Sequence, residues 1–460
     1  MSATSTAPQP APQPVRPPQH APQPVPQPGT PAGRPSGAAA RLVTAIRSGV
    51  SGTPGTMRLL LAAAATISVV FGLAAAQGFA EASGALDRAD ANTAQLVRLQ
   101  AIHTNLVRAD ADATNAFLVG GLEPPAQRQD YQNALDEASR LIADAARSQP
   151  ADNAALAALN TAVLEYSGLV EQARTNNRQG LPVGAQYLRD ASSGLRANAL
   201  PLLENLVKAN EDRVTLEFDG IGRGYVWLSV AGLLALVVIG FTLFWLARST
   251  HRYVNVPLAV GGIAILIATF GGATALASAG SKVDDIRHRP YEATLALAQA
   301  RIAAFDAKSN ESLTLISRGS GQAFEKNWQA AAQRVTDRLN QAGSLYDEAA
   351  ALPAAWNSYT GIHKAIRRAD DGGDWDGAVA QAIGAEDKTP NKTGVTSNEA
   401  FGSFDSKSAQ VLSSTVDQTR SQLSDAGGPL PFARWLTLAA GLLAAVCAWL
   451  GVSQRLEEYR

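Results

Sequence analysis

Cysteine is almost missing from this chain. Cys447 is the only one in 460 residues, so neither an intrachain disulfide nor a cysteine-built metal site can form. Cys447 lies in an apolar run and reads as a small buried hydrophobe. Charge is scarce as well: Asp, Glu, Lys and Arg supply 17% of the residues and the formal net charge is −1. That balance removes the basic surface a nucleic-acid partner needs. The signs of catalysis are lacking too. His20, His103, His251, His288 and His363 are scattered, with no H-E-x-x-H spacing. There is no G-x-S-x-G elbow, no P-loop and no G-x-G-x-x-G after a strand; "GIGRG" (220–224) is only a glycine-rich lead into an apolar run. No catalytic residue, metal ligand or cofactor is assigned, and the chain reads as a non-enzyme. Sustained alternation of β-branched residues is also absent, which leaves an all-α fold.

What is present is segregated. Residues 1–80 hold no Asp, Glu or Lys; their only charges are Arg16, Arg34, Arg41, Arg47 and Arg58. Four runs carry no charge at all: 59–80, 225–247, 254–280 and 435–454. About 20 apolar residues of helix cross a hydrocarbon core of roughly 30 Å, so each run is read as a transmembrane helix in the lipid bilayer. "AAAQGFAEA" after the first run resembles a signal-peptidase site, but the long preceding segment and the length of the run favour a retained anchor. Basic residues before the first span, and "RSTHRY" (248–253) between the second and third, place these flanks in the cytoplasm.

The resulting order is as follows. Residues 1–57, with "APQP" three times, form a disordered Pro-rich cytoplasmic tail. Helix 58–80 leads to a first extracytoplasmic four-helix bundle, 81–224. Span 225–247, a cytoplasmic loop at 248–253 and span 254–280 follow. A second extracytoplasmic helical bundle covers 281–432, then span 433–454 and a cytoplasmic tail, 455–460. The spans are expected to pack through small residues, including Gly72, Gly261 and Gly272.

An internal duplication supports this tandem plan. "YSGLVEQAR" (166–174) and "YTGIHKAIR" (359–367) align without a gap, and Gly180, Gly184 and Ala185 then fall on Gly373, Gly377 and Ala378. In the first block Leu96, Leu99, Ile102, Leu106 and Ala109 recur at helical spacing. Breaks at Gly120-Gly121, Pro150 and "NRQGLPVG" predict helices over 82–119, 126–148, 152–178 and from 184 onward. The second block predicts helices over 283–317, 322–350, 353–370, 374–384 and 398–424, with a polar loop at 386–398.

Two pairs of sites stand out. "RADADATNAFLVGG" (108–121) resembles "AAFDAKSNESLTLISRG" (303–319), setting Asp112 with Asn115, and Asp306 with Asn310, on one helix face each. They suit contact with a ligand or partner; a solvated helix face is the plainer alternative. Arg174 and Arg367 could each grip a carboxylate with two hydrogen bonds, or pair with a neighbouring acid. Tyr166 and Tyr359 are expected to pack with their hydroxyls at the rim.

No charge lies at membrane depth, which argues against transport by this chain alone. A sensor or partner-binding membrane protein remains. Each external block, with "DADATNAFLVGG" in its first helix, resembles the four-helix sensor domains of bacterial chemoreceptors and sensor kinases. The whole plan resembles the GlnX family of actinobacterial four-span membrane proteins. That resemblance implies an extracytoplasmic amino-acid-binding lipoprotein of the GlnH type and a cytoplasmic Ser/Thr kinase of the PknG type as partners. It implies a protein at the cell membrane that relays an extracellular amino-acid signal to a separate cytoplasmic recipient. Direct sensing of a ligand, or service as an accessory subunit of an ABC-type uptake system, are the alternatives. A homodimer is one assembly open to it.

Overall fold

The computed structural model describes residues 53–119, 123–250, 255–384 and 394–457. Most of the Pro-rich tail, the 120–121 break, half of the 248–253 link and most of the 386–398 link lie outside these residues. The chain divides into two units, Met1–Thr56 and Met57–Arg460; the following concerns the second. Among the described residues every regular element is a helix.

Helix α1 (Thr53–Val119) runs unbroken for 67 residues, about 100 Å at the helical rise. The expected boundary between span and bundle near residue 80 is therefore internal to one helix. α2 (Pro125–Ser148) opens on a proline, whose missing N–H costs nothing in a first turn. α3 (Asn153–Arg178) follows a short 3-10 turn, Pro150–Asp152. α4 (Val183–Gly194) passes through a π-turn, Leu195–Ala199, into α5 (Leu200–Thr250). α6 (Val256–Ile286) likewise passes through a π-turn, Arg287–Tyr291, into α7 (Glu292–Ile316). α8 (Gln322–Leu345), α9 (Leu352–Asp371) and α10 (Trp375–Ile383) precede α11 (Ser397–Gly427) and α12 (Leu430–Glu457). α11 starts in a capping box: Thr396 accepts from the Glu399 N–H while the Glu399 carboxylate accepts from the Thr396 N–H.

Four helical runs are long and apolar enough to cross a membrane: Gly55–Val119, Val183–Ser249, Val256–Ile316 and Ser397–Gln454. Their apolar stretches close into a four-helix ring through backbone-to-backbone approaches. A methyl added at Gly441 would lie 2.6 Å from the Gly72 Cα, and one at Gly224 would lie 2.6 Å from the Gly78 carbonyl oxygen. Span 1 thus touches spans 4 and 2 where no side chain fits, the packing mode of helices that share a lipid solvent. Outward-facing Tyr225, Trp227 and Trp435 at the lobe end, with Phe244 and Trp449 at the other, form aromatic fringes suited to the two bilayer interfaces.

On one side of this ring stand two helical lobes. The first packs α1, α2, α3 and α4 around Leu99, Ile102, Leu106, Tyr131, Leu159 and Tyr166. The second packs α7, α8, α9 and α11 around Leu297, Trp328, Leu339, Trp356, Tyr359 and Phe404. Val107 and Ala111 of α1 belong to the second core, whereas Leu106 and Ala109 belong to the first. α1 is shared between the lobes, and α7 is buried on almost every face, with 19 of its 25 residues enclosed. The reading of its polar residues as a solvated face fails there.

The matched residues take equivalent places. After α3, Gly180 has φ +67 and the Leu181 N–H donates to the Asn176 carbonyl; after α9, Gly373 has φ +85 and the Asp374 N–H donates to the Ala369 carbonyl. Both are helix ends closed by a left-handed residue, which glycine adopts without strain. Tyr166 and Tyr359 are both fully buried. Their hydroxyls are not at the rim: Tyr359 accepts from the Trp328 indole at 3.1 Å, and the Tyr166 hydroxyl is enclosed without a partner.

Candidate functional site: the seam between the lobes

The π-turn at Leu195–Ala199 lies just before Pro201, which offers no N–H to the helix ladder. Widening one turn is the ordinary answer to a proline inside a long helix. Here the widened turn carries Arg196, which reaches across both lobes. Its Nη1 donates to Asp110 Oδ2 on α1 at 2.9 Å. Its Nε and Nη2 donate to Asp306 Oδ1 on α7 at 3.1 and 2.9 Å, and Nη2 also reaches the Ser309 hydroxyl at 3.1 Å.

Asp110 is 1% exposed. Its carboxylate accepts from the Ser192 hydroxyl, from Ser309 at 2.6 Å and from Arg196. Asp306 also accepts from Arg334 of α8 at 3.0 Å and from the Asn310 amide at 3.2 Å. A chain of alternating charge, Asp110–Arg196–Asp306–Arg334, thus stitches lobe 1 to lobe 2. Burial opposes the charge on Arg196, but Asp110 and Asp306 outweigh it and hold the guanidinium above its ordinary pKa. Hydrogen-bonded charges in such a network are strong when complete and costly when broken.

Beside this chain a cleft of about 550 Å³ opens between the lobes. Gln100, His103 and Val107 of α1 line it with Leu200, Ile302, Asp306, Arg334 and Arg338. Burial pushes the His103 imidazole down to about 4, against the pull of Asp306, so it is neutral near pH 7.

The six residues singled out from the sequence divide three ways. Asp306 and Asn310 join the seam. Asp112 and Asn115 do not: Asp112 lies 3.9 Å from the Arg108 guanidinium, and Asp112 Oδ2 and Asn115 Oδ1 are enclosed without hydrogen-bond partners. Burial raises the Asp112 carboxyl to about 7, with Arg108 pulling the other way. Arg174 and Arg367 hold internal acids. Arg174 meets Glu123 at 3.0 Å and Glu171 at 2.7 Å, and its guanidinium lies 4.1 Å over the Tyr131 ring. Arg367 meets Glu325 at 3.5 Å and Asp370 at 2.5 Å. Each ties the third helix of its lobe to the approach to, or the first turn of, the second helix, a shared structural role.

Lobe 2 has a further enclosed cluster. Lys308 lies 2.6 Å from Glu311. Glu311 also accepts from His363 Nδ1 at 2.8 Å and from Ser397 at 2.6 Å, and His363 Nε2 meets Glu325 at 3.2 Å. Trp328 stacks on the imidazole at 3.5 Å. Burial alone would neutralise His363, but hydrogen bonds to Glu311 and Glu325 raise its pKa. Burial likewise opposes ionisation of Glu311, yet Lys308 and His363 depress its pKa strongly. Lys308, Glu311 and His363 lie inside the stretches 303–319 and 359–367 but were not singled out there, and nothing marked Arg196 beyond interior Pro201 and the broad apolar face of α1 at Leu106-Val107.

Comparison with known proteins bears on the first lobe. Residues 85–219 match the family model of the actinobacterial sensor domain. No curated protein and no solved structure matches the chain. The sensor-domain match spans the distal part of α1, all of α2 to α4 and the start of α5, and so includes Gln100, Asp110 and Arg196. With four apolar helices, it fits an actinobacterial membrane sensor that crosses the bilayer several times.

Proposed function

We propose that this protein senses a signal outside the cell and relays it to a separate cytoplasmic partner. The observation that carries the reading is the continuity of α1, α4–α5 and α6–α7 from a charged inter-lobe seam into the spans. Any signal that favours one arrangement of the seam biases the helices that cross the bilayer with it. The basic flanks of the spans favour an extracytoplasmic position for the lobes. The sensor-domain match supports a sensing role; the resemblance in overall plan alone suggests an amino-acid signal delivered by a binding lipoprotein, with a Ser/Thr kinase as the recipient. Direct ligand sensing is favoured by one specific feature, the cleft beside Arg196.

Proximity labelling from the N-terminal tail in living cells tests the relay. The expected result is a Ser/Thr kinase among the labelled proteins, with labelling that changes when the external amino-acid supply changes. Recovery of permease subunits alone would replace the relay with accessory transport.

A further inference from the structure

Gln100 is 3% exposed, lines the inter-lobe cleft, and has no hydrogen-bond partner on either atom of its side-chain amide. Buried amides ordinarily find partners inside the protein. One left open at both ends beside a cavity points to a partner that comes and goes. The cleft volume, about 550 Å³, lies within the range of small-molecule sites.

Its chemistry is specific. Val107, Leu200 and Ile302 give an apolar wall. Arg334 and Arg338 stand one turn apart on α8. Arg334 is engaged by Asp306 at 3.0 Å. Arg338 donates to the Gln341 amide oxygen at 2.8 Å and its charge acts on Glu211, but among the described residues no carboxylate lies within ion-pairing distance of it.

We propose that the cleft binds a small organic acid: its carboxylate on Arg338, its apolar body against Val107, Leu200 and Ile302, and a polar atom on Gln100. Glu204 also lines the cleft and extends the same chemistry to an α-amino acid, whose ammonium it would receive. Arg196 lines the cleft and ties the lobes together, so an occupant bears directly on the seam. The inference rests on the sensor reading for its biological meaning, but binding itself needs no cytoplasmic partner. Failure to bind leaves the relay standing, and failure of the relay leaves binding standing.

The test is calorimetric titration of the full-length protein in detergent with hexanoate, 3-phenylpropanoate and L-phenylalanine, and with 3-phenylpropan-1-ol as the uncharged probe. At least one carboxylate is expected to bind, and the alcohol to bind at least about tenfold more weakly than 3-phenylpropanoate. Arg338→Ala and Gln100→Leu should each weaken the acid by about tenfold, and Arg338→Lys should restore part of the loss. Arg140→Ala, an exposed change on α2, should leave binding unchanged. Helical circular dichroism equal to the parent's certifies each variant as folded. Tighter binding of L-phenylalanine than of 3-phenylpropanoate, abolished by Glu204→Gln, assigns the site to amino acids; no such preference assigns it to simple organic acids. Absence of binding by all three carboxylates, equal binding of the alcohol, or full affinity in folded Arg338→Ala overturns the proposal.

Discussion

Arg196→Ala is expected to destabilise the paired lobes by about 3–5 kcal/mol, the usual cost of stranding a buried charge. Asp306 would keep Arg334, at 3.0 Å. Asp110 would keep only the hydroxyls of Ser192 and Ser309. The loss therefore falls on Asp110, and Arg196→Lys should recover only part of it, because an ammonium cannot span two carboxylates as the planar guanidinium does. Adding Asp110→Ala to Arg196→Ala should cost less than the sum of the single changes, since the stranded charge goes with it. Hydrogen exchange of α4 and α7 amides is the suitable readout, because lobes and spans need not unfold together. Unchanged exchange in Arg196→Ala would show that the seam does not hold the lobes.

Glu311→Gln is the second large effect, again about 3–5 kcal/mol. It leaves the Lys308 ammonium enclosed beside a neutral amide and withdraws the closer of the two carboxylates bound to His363. The pH dependence has a definite sign. His363 has a raised pKa in the folded protein, so its contribution is fully present below its ordinary value of 6.5 and is lost as pH rises through the folded value. Glu311 has a depressed pKa, so its contribution is present above 4.5 and is lost as pH falls through the folded value. The cluster is therefore most stabilising between these two ordinary values. Denaturation of the parent from well below pH 4.5 to well above pH 6.5 should show both limbs, with a plateau between them. Glu311→Gln should shrink the acidic limb to the part that Glu325 supplies, and reduce the alkaline one. A parent whose lobe 2 stability is flat from acid to alkaline pH would refute the arrangement.

The helices were legible because their cause is local. Leu99, Ile102 and Leu106 recur at helical spacing, Pro125 and Pro150 punctuate the chain, and Gly180 and Gly373 end helices at matched positions. The predicted helix over 152–178 and the observed Asn153–Arg178 differ by one residue for that reason. The boundary drawn between span and lobe at residue 80 falls inside one helix, since an apolar segment can continue into an amphipathic one without leaving it. The seam was illegible for a different reason. Arg196 lies 86 and 110 residues from its two acids, and no periodicity reports such a pairing. Asn310 stood out as polar, and polar residues are most often solvated. Its burial follows from α7 being enclosed by both lobes, which only their association decides. Arg174 and Arg367 were legible as a matched pair because the stretches 166–174 and 359–367 align without a gap, and each grips an acid of its own lobe.

Cysteine scanning with a membrane-impermeant maleimide tests the central claim, that one chain crosses the bilayer four times and holds both lobes outside. Cys447→Ala gives a cysteine-free background, and Ser148→Cys, Ser320→Cys and Ser249→Cys place single thiols on lobe 1, on lobe 2 and in the last turn of α5. The expected result in intact cells is labelling of the first two, with Ser249→Cys labelled only after permeabilisation. Labelling of one lobe without the other, or of Ser249→Cys in intact cells, would contradict the account.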